Sequence, residues 1–395
     1  MASPLAAHWT LDPAVRFLNH GSFGAAPRAV LDEQTRWRAR IEREPVAFLG
    51  REIGERLDEA RDALAAFLGA ASADLVFVPN ATTGVNSVLR SLELAPGDEL
   101  LTTSHAYNAC RNALEFVARA RGASVRVAPL PFPIDGPEVV VEQVLAACTP
   151  RTRLCLIDHV TSPTGLVLPV QELARELRAR GVLSLVDGAH APGMLDLDVP
   201  AVGADLYTGN LHKWVCAPKG AAFLWARPEH QAWLRPTVIS HGANAPAGER
   251  SRFHLEFDWP GTDDPSAYLS VPCALATLGA LLPGGWTALR ERNHELACTA
   301  RALLCERLDL APPAPESMLG SLATLIVPGA PPPPTSSPFE VAPLQRALFE
   351  RHGIEIPVWR FGAPPLALIR LSAQAYNDVG DYRALGEALA LELGR

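Results

Sequence analysis

Lysine is almost missing from this chain: of 35 basic residues among 395, only Lys213 and Lys219 are lysines. A guanidinium stays protonated and is no amine nucleophile, so a chain that writes nearly every cation as Arg keeps Lys where an amine is needed. Both lysines fall in NLHKWVCAPKG, which marks that segment for chemistry. A positive excess is missing too. The 43 acidic residues set a net charge of -8, so nucleic acid is not an expected partner. No apolar run reaches the roughly 20 residues of a membrane-spanning helix, and MASPLAAHWTLDP has no basic region followed by an apolar one. Seven cysteines without a C-x-x-C pair exclude a disulfide framework or zinc knuckle, and the 11 histidines show no H-x-x-x-H or H-E-x-x-H spacing. A soluble, untargeted cytoplasmic protein with no metal and no membrane partner is expected.

What is present is a globular composition, 48% hydrophobic and 20% charged, with length for two or three domains. Two amphipathic helical patterns fill Pro27 to Leu68. From Leu75 short apolar runs alternate with helical stretches: LVFV, ELLTT, SVRVAPL, RLCLIDHV, VLSLVD, ADLYTG and GAAFLWA, with helices expected near Thr82, Asn108, Pro137, Pro169 and Pro192. That rhythm predicts parallel strands joined by helical crossovers, a doubly wound α/β domain. After Trp225 the rhythm stops. Two helices are expected over 265–308, interrupted by PGG, then strands SLATLIV, IEIPVWR and LALIRLS and a helix from Val379, with a proline-rich loop at 328–338. This gives an N-terminal segment 1–26, a large domain 27–265 and a smaller α+β domain 266–395.

The strand VLSLVD ends at Asp187, and in a doubly wound sheet the ligand lies outside the carboxyl ends of the strands. ADLYTG ends just before Asn210, His212 and Lys213, which places a lysine at the same rim. A lysine can form a Schiff base with an aldehyde cofactor while a carboxylate keeps a pyridine nitrogen protonated. Together the two roles indicate pyridoxal 5'-phosphate. Its phosphate would find donors at NATTGVNSV, where Thr82 or Thr83 opens a helix and Gly84 permits close approach. Asn210 and His212 are further donors. Arg370 shares a strand face with Ser372 and Gln374 and carries a fork that grips a carboxylate bidentately.

The segments LNHGSFGAAPR, NATTG, HVTSPTGLVLP, VDGAHAPG, GNLHKWVCAPKG, GTDD and IRLSAQAYND resemble the class V pyridoxal-phosphate aminotransferases, and within them the isopenicillin N epimerase-like branch. The resemblance runs through nearly the whole chain in order. It implies fold type I, with Lys213 as the Schiff-base lysine and proton carrier, Asp187 on the pyridine nitrogen, and His190 with Thr161 or Ser162 near the ring oxygen. Tyr107, in preference to His105, would stack on the ring. Thr82, Thr83, Asn210 and His212 would hold the phosphate, and Gly261 and Thr262 of a homodimer's second chain would reach the same site. Arg370 would bind the substrate carboxylate, with Asn19, His20 and Ser22 lining the pocket, and Lys219 would be structural.

The implied substrate is a small amino acid or a molecule derived from one, and the implied reaction starts by loss of its α-proton. Epimerisation comes first. Carbon–sulfur β-lysis like that of the hercynylcysteine sulfoxide lyases comes second and transamination third, while a non-catalytic cofactor-binding scaffold is the reading from another class. Persulfide transfer is disfavoured because no cysteine follows Cys305, and Cys216 reads as a small buried residue.

Overall fold

The computed structural model describes residues 3–246, 248, 250–330 and 341–394, so the expected proline-rich loop lies outside the described residues from 331 onward. Strands follow in chain order as β1 (Arg16–Phe17), β2 (Leu75–Val78), β3 (Glu99–Thr103), β4 (Ser124–Ala128), β5 (Thr152–Asp158), β6 (Leu183–Asp187), β7 (Leu206–Asn210), β8 (Ala222–Ala226), β9 (Leu322–Ile326), β10 (Ile354–Glu355), β11 (Val358–Phe361) and β12 (Leu366–Ser372). β2 through β8 form one sheet in the order β2-β8-β7-β6-β5-β3-β4. Every pairing from β4 to β7 is parallel. β8 alone is reversed, antiparallel to both β7 and β2. Residues 211–221 contain no helix to carry the chain back across the sheet, so it returns directly, as only an antiparallel pair allows. Lys213 sits on that return.

β2, β3, β7 and β8 are buried along their whole length because helices cover both sheet faces, and β2 (LVFV) and β8 (AFLWA) are continuous apolar runs. β2 and β4 are the edge strands, and along β4 burial alternates with Arg126 facing outward. The mostly parallel α/β sheet of fold type I is therefore present. The two early helices run Arg28–Arg43 and Ile53–Phe67.

Two expectations need correction. No helix begins near Pro192; the region holds only the single turn Val199–Val202. Gly193 adopts φ +83°, and a Cβ there would meet the Trp214 carbonyl carbon at 2.7 Å, so the segment is pressed flat against the lysine loop. IEIPVWR is not one strand but two, since Pro357 has no N–H for a ladder. β10 pairs in parallel with β1, while β11 joins β12 and β9 in an antiparallel sheet centred on β12. The N-terminal segment is thus stitched to the C-terminal third, and Leu18 is part of the apolar cluster there.

Gly193→Ala should lower unfolding stability by about 2 kcal/mol or more, from left-handed strain and the carbonyl clash. Urea denaturation measures it, and an unchanged midpoint would contradict the close approach.

Candidate active site

Three adjacent strands end on one rim: β5 at Asp158, β6 at Asp187 and β7 at Asn210. Lys213 follows three residues later, and its buried Nζ lies 3.0 Å from His190 Nε2. Trp214 Nε1–H donates to His190 Nδ1 at 3.3 Å, which leaves the proton of the neutral ring on Nε2, facing Nζ. A contact of that polarity needs an unprotonated amine. Burial, then the charge of Arg370, bring the Lys213 pKa down from its ordinary value to about 7. His190 itself is pushed well below the usual imidazole range by burial and Lys213.

Asp187 accepts from the Ala189 N–H at 3.0 Å on Oδ1 and from the Cys110 thiol at 3.1 Å on Oδ2. Burial raises its pKa, and these two donors with Lys213 oppose the rise. Asp158 is its register partner on β5 and accepts the Tyr107 N–H at 3.3 Å. Cys110, Asp158 and Trp214 were not anticipated from sequence. Asp158 ends a strand as Asp187 does, so the same strand-end argument points to it. Cys110 carries no such mark.

Beside this pair, the helix Ala81–Ser91 is capped by Asn80, whose Oδ1 accepts the Thr83 N–H at 2.9 Å and the Thr83 hydroxyl at 3.1 Å. Asn210 Oδ1 accepts the Ala81 N–H at 2.9 Å, tying that helix start to the rim. Gly84 is required there: a Cβ would stand 2.2 Å from Thr208 Oγ1 on β7. His212 is the next residue but one after β7, and its buried Nδ1 has no hydrogen-bond partner. Burial lowers its pKa to about 4.

Arg370, on the central strand β12, is buried without a carboxylate partner among the described residues. Its Nη1 donates to the Ser162 carbonyl at 2.6 Å and hydroxyl at 3.2 Å, and Nη2 to the Ser22 hydroxyl at 3.2 Å. Among the described residues Nε has no hydrogen-bond partner, and the guanidinium lies 5.3 Å over the Trp359 ring. Burial lowers its pKa to about 10. A cation sunk this deep without a counter-charge is a site for an anion.

Other expected residues stand behind the rim. His105 is buried with one ring nitrogen at Thr164 Oγ1 (2.9 Å) and the other at the Leu130 carbonyl (3.3 Å). Thr161 Oγ1 pairs with Thr164 Oγ1 at 2.7 Å and accepts the Leu166 N–H. His20 lies behind the lysine backbone, with Nε2 at the Lys213 carbonyl (2.9 Å) and Nδ1 at the Tyr376 hydroxyl (2.8 Å). Asn19 Nδ2 donates to Glu355. Tyr107, by contrast, keeps 43% of its surface exposed. Lys219 Nζ donates to the Gly24 carbonyl at 3.2 Å, and Gly261 and Thr262 border an apolar groove shared with Thr83, Trp259 and Tyr268.

A family model for Aminotransferase class-V matches residues 25–254. The isopenicillin N epimerase of Amycolatopsis lactamdurans is 40% identical, over 96% of this chain and 96% of its own length. The probable chloroplastic L-cysteine desulfhydrase of Arabidopsis thaliana is 32% identical, over 96% of this chain and 83% of its own. A cysteine desulfurase of Escherichia coli has a similar solved structure, with a TM-score of 0.79 at 21% identity, covering 98% of this chain and 97% of that one. Fold and matches define a pyridoxal-phosphate-dependent enzyme of fold type I. The chain belongs to the class V aminotransferase family. Its residues fit that cofactor: the buried His212 Nδ1, which has no hydrogen-bond partner among the described residues, is a polar atom that a phosphate satisfies.

Two outcomes follow from these charges. Reductive methylation of Lys213 in cofactor-free protein, read by mass spectrometry, should be half-maximal near pH 7, and Arg370→Met should move that midpoint upward by removing a neighbouring cation. His20, His105, His159 and His190 are buried and His212 is partly buried, and burial lowers the pKa of all five. The unfolded chain therefore takes up protons first as pH falls below 6.5, so stability is full above that value and is lost toward pH 4. Each histidine contributes a slope of up to about 1.4 kcal/mol per pH unit. Urea midpoints that stay flat between pH 7 and 5 would contradict this.

Proposed function

We propose that this enzyme epimerises the α-carbon of an amino-acid-derived substrate of the isopenicillin N type. The reading is carried by Arg370, a buried guanidinium with an open Nε and no acid partner, whose charge reaches the Lys213 amine. The 40% identity to an isopenicillin N epimerase over nearly the full length supports it. When bound, pyridoxal phosphate supplies an electron sink that stabilises negative charge at the substrate α-carbon.

The chain's own residues do the rest. Arg370 offers Nε with one Nη as a side-on donor pair to the substrate carboxylate and fixes the α-carbon relative to Lys213. Lys213 Nζ, with a pKa brought down to about 7, is available unprotonated near neutral pH to accept the α-proton as a general base. With the cofactor bound, Asp187 would hold the ring nitrogen protonated, His190 with Thr161 or Ser162 would serve the ring oxygen, Tyr107 would cover the ring and His105 would support the loop beneath. Thr82, Thr83, Asn210 and His212 hold the phosphate. Ser22 and Asn19 orient Arg370, and His20 orients the lysine loop. The enzyme works as a cytoplasmic homodimer, each chain lending Gly261 and Thr262 to its neighbour's site; the apolar groove they border and the half-exposed Val238 beside it support that association. Residues 27–265 form the cofactor-binding domain, and 1–26 act with the smaller domain 266–395.

Carbon–sulfur β-lysis is the second reading, favoured by the desulfhydrase relative. Incubating the cofactor-loaded enzyme with isopenicillin N in deuterated water separates the two. Epimerisation gives inversion with one deuterium at the α-carbon. Release of pyruvate and ammonia assigns the lyase, and no α-proton exchange with isopenicillin N overturns the epimerase reading. Arg370→Met should raise KM by about 10- to 100-fold, as loss of charged hydrogen bonds does, with cofactor binding intact.

A further inference from the structure

Asp187 does not stand alone. Its Oδ2 takes the Cys110 thiol proton at 3.1 Å, reached from the helix Asn108–Arg121. On its other side Asp158 is its register partner on the adjacent strand, and both carboxyl groups are buried. Other titratable groups face the cluster: Lys213, whose charge favours ionised acids, and the hydroxyls of Tyr107 and Tyr207, on each of which the charge of Asp187 acts. Tyr207 is itself bonded to His159 Nδ1 at 2.8 Å. Two neighbouring buried carboxyls and a thiol cannot all ionise around a single amine, because each added negative charge is desolvated and repelled by the last. Burial raises Asp187 too, but burial and the Asp187 charge push Asp158 well above the usual carboxylate range, and burial, then Asp187, push Cys110 well above the usual thiol range, so Asp187, with two hydrogen-bond donors on its carboxylate, is the member favoured to carry charge.

We propose that Cys110 and Asp158 are positioning residues for Asp187: the Cys110 thiol donates to Oδ2 and fixes the carboxylate's orientation, while Asp158 remains an uncharged acid that leaves Asp187 the only anion facing the cofactor's ring nitrogen. Asp158 accepts the Tyr107 N–H and so also anchors the start of the helix that carries Cys110. The inference rests on the assignment of Asp187 to the ring nitrogen and does not depend on which reaction follows.

The test is a titration of cofactor-free protein with pyridoxal 5'-phosphate, followed by tryptophan fluorescence for Kd and by the pH midpoint of the bound cofactor's visible absorbance. Asp187→Ala sets the frame: an unchanged Kd there would sink the assignment of Asp187 itself. Given a weakened Asp187→Ala, Cys110→Val, which keeps volume without a donor, should weaken binding about tenfold and move the absorbance midpoint. Cys110→Ser, which restores an O–H donor, should recover binding to within about threefold. Asp158→Asn, isosteric with the protonated acid, should keep both Kd and midpoint. A Cys110→Val protein indistinguishable from the parent overturns the role of the thiol. An Asp158→Asn midpoint displaced by a full pH unit overturns the uncharged Asp158, since it would mean a negative charge had been removed. Thermal midpoints of the cofactor-free variants separate misfolding from these effects, and Cys110→Ser keeps the thiol's role testable where Cys110→Val fails to fold.

Discussion

The site depends on keeping one amine dry. The Lys213 amine loses its proton far more easily than an ordinary lysine because burial strips the solvation its ammonium form needs, and the Arg370 guanidinium adds repulsion. Every neighbouring element serves that state. Trp214 sets the tautomer of His190 so that the imidazole faces the amine as a donor, and His20 ties down the lysine carbonyl from behind. The same dry setting gives an uncompensated arginine its appetite for a carboxylate. Low polarity, rather than any single contact, makes both groups reactive.

The site draws on three distant stretches of chain that the fold brings to one rim. The sheet supplies Asp158, Asp187 and Asn210 from neighbouring strand ends, β12 supplies Arg370, and residues 16–25 bridge between them. The bridge is built with little tolerance: at Gly24, φ +67°, a Cβ would fall 1.8 Å from the His212 carbonyl, and Lys219 grips the carbonyl of the same glycine. Both lysines therefore serve one loop, one as the buried amine and the other as an anchor.

Much of this was legible in the sequence because it followed from position and scarcity. A lysine in a chain of arginines, an acid at the end of an apolar run and a capped helix start after a strand are local patterns, and local patterns survive translation into one dimension. The strand series from Leu75 to Trp225 was read for the same reason. What escaped was set by contacts across the fold. Cys110 earns its place through the side of a helix that happens to face β6. The flat path at Gly193 is imposed by the Trp214 backbone, and the break in IEIPVWR by a proline where one strand had to serve two partners. Whether a histidine such as His105 faces a ligand or a carbonyl is likewise decided by neighbours remote in sequence.

The pairing of β1 with β10 has a consequence for how the molecule comes into being. Arg370 meets its Ser22 partner only once residues 16–25 have folded against the C-terminal third, more than 300 positions away in the sequence. A half-assembled molecule can therefore have its sheet rim and Lys213 in place while the Arg370 guanidinium still lacks the serine that helps to orient it.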